Sequence, residues 1–458
     1  MSLRATRSEG LVTSVVVIGA GVAGLTAASR LRRGGASVTV LESSARIGGL
    51  VESERTEGWV VEYGADGFLI SKANMAGHVS GLGLDSKVVG GGNTPRRAYI
   101  ATEHGLEPLP ASLFRFERGA IWELLSSRLL SPGAKLRLLM EPFVPRAREE
   151  ESVSGFVSRR FGHEVSDHIV EPMLRGVFGS PASALGMQGA MPKLAEHERR
   201  YGSVGVALML APRAGTQGGL VSLSGGMQTL VDALGHDVAP YTHLSVPAQS
   251  IRRKANGRLA VATSRHGDIE ADAVVLACPT HVAARLVAGL DGTLADELSL
   301  VRSADVEVVS LGYEARDLPS IEGTGFLVDP ALGRALVACT WSSQKWRGRA
   351  PRDRFLVRCV VNAPDCSDDE LVQLTREELR HFAGITATPV LTRTKRRRNA
   401  LPVYAPGHRA LATRAKERAR SHGIELAGNG YDGIGVPDCV ASGLDAALSM
   451  LSAQALHS

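Results

Sequence analysis

The 458-residue chain has few cysteines, and its cysteines and histidines are not spaced like metal ligands. The five cysteines include no CxxC pair, and the 13 histidines include no HxH or HxxxH pair. Because the cysteine count is odd and the residues are scattered, we expect reduced thiols in a cytosolic compartment and no structural metal. A GxSxG motif is also missing, so nothing indicates a serine nucleophile of the hydrolase type.

The chain also lacks a long apolar run and a basic stripe. Its most apolar stretch, residues 11–31, contains three glycines and leads directly into arginines, whereas a membrane-spanning helix needs about 20 uninterrupted apolar residues. Cleavage of this stretch as a leader would remove the first predicted strand, so we expect no cleaved leader. The net charge of +5 is dispersed rather than interleaved with aromatic residues, which argues against nucleic acid as the partner.

What the chain does contain is a dinucleotide-binding motif near its N-terminus. A predicted buried strand at 15–18 leads into Gly19, Gly21 and Gly24, and a helix follows. Gly19 allows the tight turn, Gly21 lets the backbone approach a pyrophosphate, and the helix N-terminus offers amide hydrogens to it. Glu42 ends the next predicted strand, and we expect its carboxylate to accept a hydrogen bond from a ribose hydroxyl.

Strand and helix patterns alternate along the chain as in an α/β protein. Helical periodicity dominates from 112 to about 210, and further helices are predicted over 368–382 and 437–456. Alternating or continuous apolar residues predict the strands. These are 97–101, 105–109, 241–246, 259–263, 273–277, 303–315, 324–329, 334–342, 354–362 and 424–427.

The changes in pattern predict three regions, two of them assembled from separated parts of the chain. One carries the nucleotide-binding strands and glycines, one carries the alternating strands of a mixed sheet, and one is helical. The predicted ranges are 12–70, 217–290 and 395–458 for a discontinuous Rossmann-like nucleotide domain, 71–110 and 291–394 for a mixed-sheet substrate domain, and 111–216 for the helical region.

Six further blocks of sequence are distinctive. They are ESSARIGG at 42–49, VEYGADGFL at 61–69, LPAS at 109–112, LSGGMQTL at 223–230, YAPGH at 404–408 and GNGYDGIGVPDC at 428–439. With these blocks, nearly the whole chain resembles the FAD-dependent amine oxidase superfamily, and within it the protoporphyrinogen IX oxidase and coproporphyrinogen III oxidase family of haem synthesis. The resemblance implies FAD as cofactor, a porphyrinogen as substrate and molecular oxygen as electron acceptor. The implied reaction is the six-electron oxidation of protoporphyrinogen IX to protoporphyrin IX, with coproporphyrinogen III as the alternative substrate.

The resemblance also implies which residues bind FAD. The first glycines would hold the pyrophosphate, Arg46 and the following glycine pair would run along it, and Val246 would meet the adenine through its backbone. The segment 64–68 would pass close to the isoalloxazine, and the start of the last helix would approach the flavin and its ribityl tail. The implied set is Gly19, Gly21, Val22, Ala23, Gly24, Glu42, Ser43, Arg46, Gly48, Gly49, Gly64, Ala65, Asp66, Gly67, Phe68, Val246, Gly428, Asn429, Gly435, Val436 and Pro437.

A porphyrinogen would need an apolar slot with cations at its rim for the propionates. Lys72 and Arg97 are the candidate cations, although a solvated surface charge explains each equally well. Met173, Leu174 and Phe178 are the candidate lining residues, for which a helical core is the alternative. Beyond the flavin we expect no catalytic residue. The chain departs from the family pattern at Ala76, at Ser180 and at Arg397.

Residues 112–146 combine apolar side chains with arginines and lysines, which is typical of a helix on an anionic bilayer and equally of an ordinary packed helix. The family likeness favours a cytoplasmic protein with peripheral contact to the cytoplasmic face of the membrane, and leaves a homodimer open. Two rival functions remain. One is an amine oxidase or carotenoid-type desaturase, and the other is a redox-neutral flavoprotein such as a sugar mutase or a non-catalytic flavin-binding module.

Overall fold

The computed structural model describes residues 14–90, 97–110, 112, 119–210 and 219–455. Within these ranges the strands are β1 Ser14–Ile18, β2 Ser37–Leu41, β3 Ser53–Thr56, β4 Trp59–Glu62, β5 Phe68–Leu69, β6 Val88–Val89, β7 Ala98–Thr102, β8 Gly105–Pro108, β9 Leu220–Leu223, β10 Thr242–His243, β11 Ala248–Arg253, β12 Leu259–Thr263, β13 Gly267–Ala271, β14 Ala273–Leu276, β15 Ser303–Glu314, β16 Gly325–Val328, β17 Leu336–Trp341, β18 Arg354–Val361, β19 Leu391–Pro402 and β20 Ile424–Leu426.

The α-helices of seven or more residues in the same ranges follow. They are α1 Val22–Arg33, α2 Met75–Gly81, α3 Ala120–Ser126, α4 Pro132–Leu139, α5 Val153–Phe161, α6 Glu171–Phe178, α7 Pro192–Tyr201, α8 Val204–Leu210, α9 Gln228–His236, α10 Thr280–Val287, α11 Gly292–Ser299, α12 Asp368–Ala383, α13 His408–Ser421 and α14 Val436–Ala455. Among the described residues, no helix combines the length and the apolar composition needed to cross a bilayer.

A parallel sheet places the nucleotide motif. Its five strands lie in the order β10-β2-β1-β14-β20, and every neighbouring pair is parallel. Buried β-branched residues fill β1 and β14, as expected for strands covered on both faces. The strand order reverses between β1 and β14, and open α/β sheets bind ligands at the carboxyl end of that reversal. Strands from three distant parts of the chain therefore converge on one crevice.

A seven-stranded mixed sheet forms the second layer, in the order β19-β15-β18-β17-β16-β7-β8. Only β16 and β7 pair in parallel, and the other neighbours are antiparallel. The mixed sheet confirms the predicted fold class. Residue 395, the predicted start of the last nucleotide-domain segment, lies inside β19, which pairs with β15 from Leu391 to Pro402.

The strand predicted at 241–246 is wrong beyond its first half. Only Thr242 and His243 pair with β2, because Ser245 takes a left-handed backbone with a φ of 56° and turns the chain. The Ser245 and Val246 amides then donate to the carbonyl oxygens of Ser44 and Glu42. The apolar and branched residues that suggested a longer strand instead lay this loop against the end of β2.

The region from α3 to α8 is helical, as predicted, and has its own apolar core. A fully buried arginine, Arg160, crosses this core and bonds to Glu141 and Glu198 at 3.0 and 2.8 Å. Such a buried cation is tolerated only when its charge and its donors are matched. Part of the predicted amphipathic segment, including Leu113, Phe114 and Arg115, lies outside the described residues.

Candidate functional site

The first glycine turn is closed by protein on two sides and open on the third. A Cβ on Gly19, whose φ is 105°, would lie 2.5 Å from the carbonyl oxygen of Ala277, and one on Gly24 would lie 1.9 Å from that of Gly19. A Cβ on Gly21 would meet nothing within 4 Å. Gly21 is the N-cap of α1 and supplies no side-chain cap, so the first amides of the helix face this open side. The turn therefore fits a diphosphate.

A second pair of glycines forms the opposite wall of this cradle. Gly48 and Gly49 have φ values of 109° and 58°, and the Gly48 amide donates to the carbonyl oxygen of Ala20 at 2.7 Å. A Cβ on Gly49 would lie 3.3 Å from the Cα of Gly21. The two loops thus touch backbone to backbone, which only small residues allow.

Glu42 lies at the carboxyl end of β2, beside the first turn, with 8% of its surface exposed. Its carboxylate accepts hydrogen bonds from the amides of Ala20 and Ser44, each at 2.8 Å, and from the Ser44 hydroxyl. Two carboxylate oxygens can accept about four bonds, so the fixed carboxylate could also accept from a ribose hydroxyl. The Ser43 hydroxyl lies 3.4 Å from the same carboxylate.

Three residues of the implied cofactor set form hydrogen bonds within the protein that the resemblance does not imply. The Val246 amide donates to Glu42, so only its carbonyl oxygen could meet an adenine. The Arg46 guanidinium donates to the carbonyl oxygens of Ile47, Gly49 and Val51 within its own loop. It also pairs with Glu52 at 3.0 Å. Arg46 therefore shapes the glycine loop rather than pointing its donors at a diphosphate.

Asp66 is the third such residue, since its carboxylate is turned into the protein. It accepts from Lys345 Nζ at 2.8 Å and from Trp346 Nε1 at 3.1 Å. Burial alone would raise the pKa of Asp66, but the charges of Lys345 and Arg358 hold it at about 2. The backbone of its segment is fixed as well, because Arg358 donates to the Gly64 carbonyl oxygen at 2.9 Å. Backbone atoms of 64–68, not the Asp66 side chain, are left for a ligand.

A third glycine-rich loop leads from β20 to α14 and closes the crevice. The Gly428 amide donates to the Ser442 hydroxyl at 3.1 Å, and a Cβ on Gly428 would lie 3.9 Å from that of Ala23. At the other end of the loop, Asp438 accepts from the Gly435 amide at 3.2 Å. The implied residues of the first motif and of the last helix are therefore neighbours.

The two candidate rim cations lie on different elements. Lys72 donates to Asp438 at 2.8 Å, so it is an ion-pair partner at the start of α14 and lies beside the cofactor crevice. The next two residues, Ala73 and Asn74, both have left-handed φ values, 52° and 54°. Such strain persists where the surroundings fix it, often near functional sites. Arg97 is exposed at the start of β7, and its carbonyl oxygen accepts from Thr324.

The candidate lining residues lie on α6, between the helical region and the mixed sheet. Leu174 and Phe178 are buried in the helical core, and Met173 is half-buried at its edge. A Cβ on Gly176 would lie 2.8 Å from the Leu327 side chain of β16, so the other face of α6 packs on the sheet. Leu174 and Phe178 therefore belong to the helical core, which was the alternative to a role in lining the substrate slot. Of the three candidates, Met173 is the one that reaches the surface.

The sequence analysis did not predict a buried ion pair, Glu62 with Arg349, that lies beside the segment 64–68. Glu62 and Arg349 are 4% and 1% exposed, and their charged groups lie 3.1 Å apart. Burial raises the pKa of Glu62 despite the charge of Arg349. Arg349 also donates to the Ser222 hydroxyl at 2.5 Å. Nothing in the linear sequence joins residues so far apart.

The sequence analysis also did not predict that the basic side chains at 393–398 are paired on both faces of β19. On one face, Arg393 pairs with Glu54 of β3, and both Lys395 and Arg397 pair with Glu52, which precedes β3. The opposite face carries Arg396 and Arg398, which pair with the acids Glu307, Asp368 and Asp305. Because successive side chains of a strand point to opposite faces, the alternation along this run was the one sequence signal that could have indicated two separate sets of ion pairs.

The comparisons with known proteins identify the fold and the cofactor. The flavin-containing amine oxidoreductase family matches residues 22–451. The chain belongs to this family. Membership confirms the prediction of an FAD-dependent oxidoreductase, and the open side of the turn at Gly21 fits the diphosphate of that cofactor.

Individual relatives match over the full length of the chain. The coproporphyrinogen III oxidase of Bacillus subtilis is 27% identical over 94% of this chain and 96% of its own. Human protoporphyrinogen oxidase is 29% identical over 96% of this chain and 99% of its own. An Exiguobacterium protein, assigned as a protoporphyrinogen oxidase, has a solved structure that covers 97% of this chain and 99% of its own, with a TM-score of 0.84 and 27% identity. Reduced UDP-galactopyranose mutase shares the fold, with a TM-score of 0.72 at 16% identity over 96% of each chain.

Proposed function

We propose that this protein oxidises a porphyrinogen to the corresponding porphyrin in haem biosynthesis, with oxygen as the final electron acceptor. The observation that supports the proposal most is the combination of a diphosphate cradle at Gly21 with similarity to porphyrinogen oxidases over 94–96% of the chain. Similarity over so much of the chain includes the proposed substrate-facing regions as well as the nucleotide motif.

The proposed cofactor residues act mainly through their backbones. The amides at the start of α1 bind the diphosphate, with Gly49 as the facing wall, and Glu42 accepts from the ribose. The segment 64–68 and the loop from Gly428 to Pro437 place backbone groups around the redox ring. When bound, FAD accepts two electrons at a time as hydride, so three rounds complete a six-electron oxidation. The domain ranges predicted from the sequence stay part of this proposal.

The chain's own residues would orient the substrate and keep water away from it. Lys72 is the proposed partner of a propionate, because its ammonium lies at the start of α14 and its side chain is 51% exposed, so its three N–H donors can reach a second carboxylate besides Asp438. Arg97 is the second candidate cation. Met173 is the proposed apolar contact at the surface of α6, with Leu174 and Phe178 behind it as packing support.

The names of the bacterial relatives favour coproporphyrinogen III over protoporphyrinogen IX as the substrate. The relatives from Bacillus subtilis, Staphylococcus aureus and Mycobacterium tuberculosis are all coproporphyrinogen III oxidases, at 26–29% identity. Coproporphyrinogen III carries four propionates and protoporphyrinogen IX carries two, so rim cations matter more for the former.

Anaerobic mixing of the FAD-loaded protein with each porphyrinogen tests the function. We expect the visible flavin absorbance to bleach, faster with coproporphyrinogen III, and porphyrin fluorescence to rise when air is admitted. Mixing with the finished porphyrin is the control, because it has no hydride to give. If neither porphyrinogen bleaches the flavin while putrescine does, the protein is an amine oxidase, and if nothing bleaches it the redox-neutral alternative stands.

We also propose peripheral contact with an anionic membrane through the helical region. The exposed apolar side chains include Trp122, Phe143 and Leu210, which are 73%, 79% and 66% exposed. They lie on α3, on the turn after α4 and on α8, and α8 contacts both of the other elements. Exposed arginines such as Arg128 lie on the same region, as expected for a surface that meets anionic lipid.

A further inference from the structure

The YAPGH block at 404–408 has no role in the assignments above, yet its two aromatic residues are deeply buried. Tyr404 is 1% exposed and His408 is 4% exposed. Their rings are stacked, with centroids 4.0 Å apart and planes 15° from parallel. The turn between them is tight, since the His408 amide donates to the Ala405 carbonyl oxygen and Gly407 has a φ of 85°. The block is thus a compact aromatic pair on a rigid turn.

The Tyr404 hydroxyl bonds to the loop that precedes α14. It donates to the carbonyl oxygen of Asn429 at 2.5 Å. Asn429 follows Gly428, so the phenol is bonded to the start of the proposed cofactor loop. One hydroxyl therefore anchors this end of the loop.

His408 supports this phenol as a neutral ring. Burial lowers the pKa of His408, so the imidazole is uncharged at pH 7. Its Nε2 atom is buried and has no hydrogen-bond partner among the residues that the structure describes. An imidazole that leaves one nitrogen unbonded contributes mainly the face of its ring, and that face is stacked on Tyr404.

The other side of Tyr404 faces the helical region. The ring of Phe178, at the end of α6, meets it edge-on, with centroids 6.3 Å apart and planes at 64°. The Gly186 amide donates to the Tyr404 carbonyl oxygen at 2.6 Å, and a Cβ on Gly189 would lie 3.0 Å from the Tyr404 Cβ. Tyr404 therefore lies between the proposed substrate helix and the proposed cofactor loop, and contacts both.

We propose that Tyr404, supported by His408, is a positioning residue that holds the loop from Gly428 to Gly435 in the shape required to bind FAD. The proposal rests on the assignment of this loop to the cofactor. It assigns no chemistry to the phenol, which acts through the backbone of Asn429.

The chain offers a matched pair of substitutions for the test. Tyr404→Phe removes the hydroxyl that bonds to Asn429 and leaves that partly buried carbonyl oxygen without its partner. Tyr313→Phe removes another buried hydroxyl, from a side chain that is 1% exposed and lies in β15 of the mixed sheet, outside the proposed cofactor loop. We expect Tyr404→Phe to raise the dissociation constant of FAD about tenfold and to change the visible circular dichroism of the bound flavin. Tyr313→Phe should leave both unchanged.

His408 supplies the second comparison. His408→Ala removes the ring beneath Tyr404 and should weaken FAD binding, whereas His408→Phe keeps a flat ring there and should restore it. Thermal unfolding of each apoprotein is measured in parallel, because a purely structural role would lower the melting temperature without changing FAD affinity or the dichroism. Equal FAD affinity in Tyr404→Phe and Tyr313→Phe would overturn the proposal.

Failure of this proposal is distinct from failure of the proposed function. FAD affinity and dichroism are measured without any porphyrinogen, so they report on the loop alone. If the wild-type flavin is not reduced by a porphyrinogen but the two tyrosine variants differ as expected, the substrate assignment fails and the role of Tyr404 stands. If instead a porphyrinogen reduces the wild-type flavin but the two tyrosine variants bind FAD equally, the substrate assignment stands and the role of Tyr404 fails.

Discussion

Gly21 is the residue on which we expect cofactor binding to depend most directly. Its φ of −73° is open to any residue, and a Cβ there meets no protein atom within 4 Å. We therefore expect Gly21→Val to fold and yet to lose FAD, because the added methyl groups fill the space where the diphosphate meets the amides of α1. The ratio of flavin to protein absorbance after purification measures this loss.

Gly289→Val is the control for this prediction. Gly289 also has open space around its Cβ position and no positive φ, but it lies in an exposed turn after α10. The control variant should keep its full flavin content. A yellow Gly21→Val protein with wild-type flavin content would show that the diphosphate binds elsewhere.

Asp66 makes stability depend on pH at the low end of the scale. Its folded pKa is about 2, below the ordinary value of 3.8. The ionised carboxylate therefore adds about 2 kcal/mol to the free energy of unfolding above pH 4, and this contribution is lost as pH falls from about 4 to 2. Asp66→Asn should cost about that much at pH 7 in urea unfolding of the apoprotein. The difference from wild type should shrink at pH 3, and a difference independent of pH would contradict the ion pair with Lys345.

At the scale of elements, Glu52 joins the mixed sheet to the glycine loop. It pairs with Arg46 of the loop at 3.0 Å and with Lys395 and Arg397 of β19. Arg397 also approaches the Gly49 carbonyl oxygen at 3.4 Å. Since one carboxylate lies between three cations and offsets part of their repulsion, Glu52→Gln leaves them to repel one another. We expect a loss of about 2 kcal/mol in the free energy of unfolding and weaker FAD binding.

Salt separates this effect from a simple loss of packing. Added salt screens the repulsion among partly exposed cations, so part of the loss in Glu52→Gln should be recovered at high ionic strength. Glu57→Gln, in the exposed turn of the β3–β4 hairpin, is the matched control and should be neutral. A salt-independent loss in Glu52→Gln would mean that shape rather than charge matters there.

The elements near the glycine motif could be predicted because local chemistry determines them. The turn at Gly19, the acid Glu42 and the start of α14 within one residue of its predicted position all follow from patterns a few residues long. The bonding of Arg46 and Asp66 could not be predicted, because their partners come from loop folding and from a residue of the mixed sheet region, Lys345. A sequence shows that a side chain is charged, but not which way it turns.

At the scale of the whole molecule, the exposed apolar face of the helical region predicts binding to lipid vesicles. The protein should float with vesicles containing anionic lipid, less so at high salt, and Trp122→Ser with Phe143→Ser should abolish flotation. Leu300→Ser is the control, since Leu300 is 67% exposed but follows α11, away from this face. A double variant that floats like wild type would exclude this face as the docking surface.

Three-dimensional proximity explains what the sequence could not reveal about this face. Of the proposed docking surface, the amphipathic pattern at 112–146 contains Trp122 and Phe143, whereas Met209 and Leu210 come from α8, a distant segment. The same limit applies to the core pair of Glu62 and Arg349. The sequence predicts which residues share a face of one helix, because that depends on local periodicity. It does not predict a surface formed by several helices, because that depends on how the helices pack in the folded chain.

The parallel sheet has a consequence for synthesis. Its central strand, β1, pairs with β14 through Val15 and Ala273, and β14 pairs in turn with β20. At about 5–20 residues per second, a ribosome makes these strands tens of seconds apart. Until β14 has been synthesised, the apolar edge of β1 in the nascent chain has no partner strand. We therefore expect chaperones to bind the nascent N-terminal half. Nonsense mutations that remove only the last few dozen codons should leave an insoluble product instead of a partly active one.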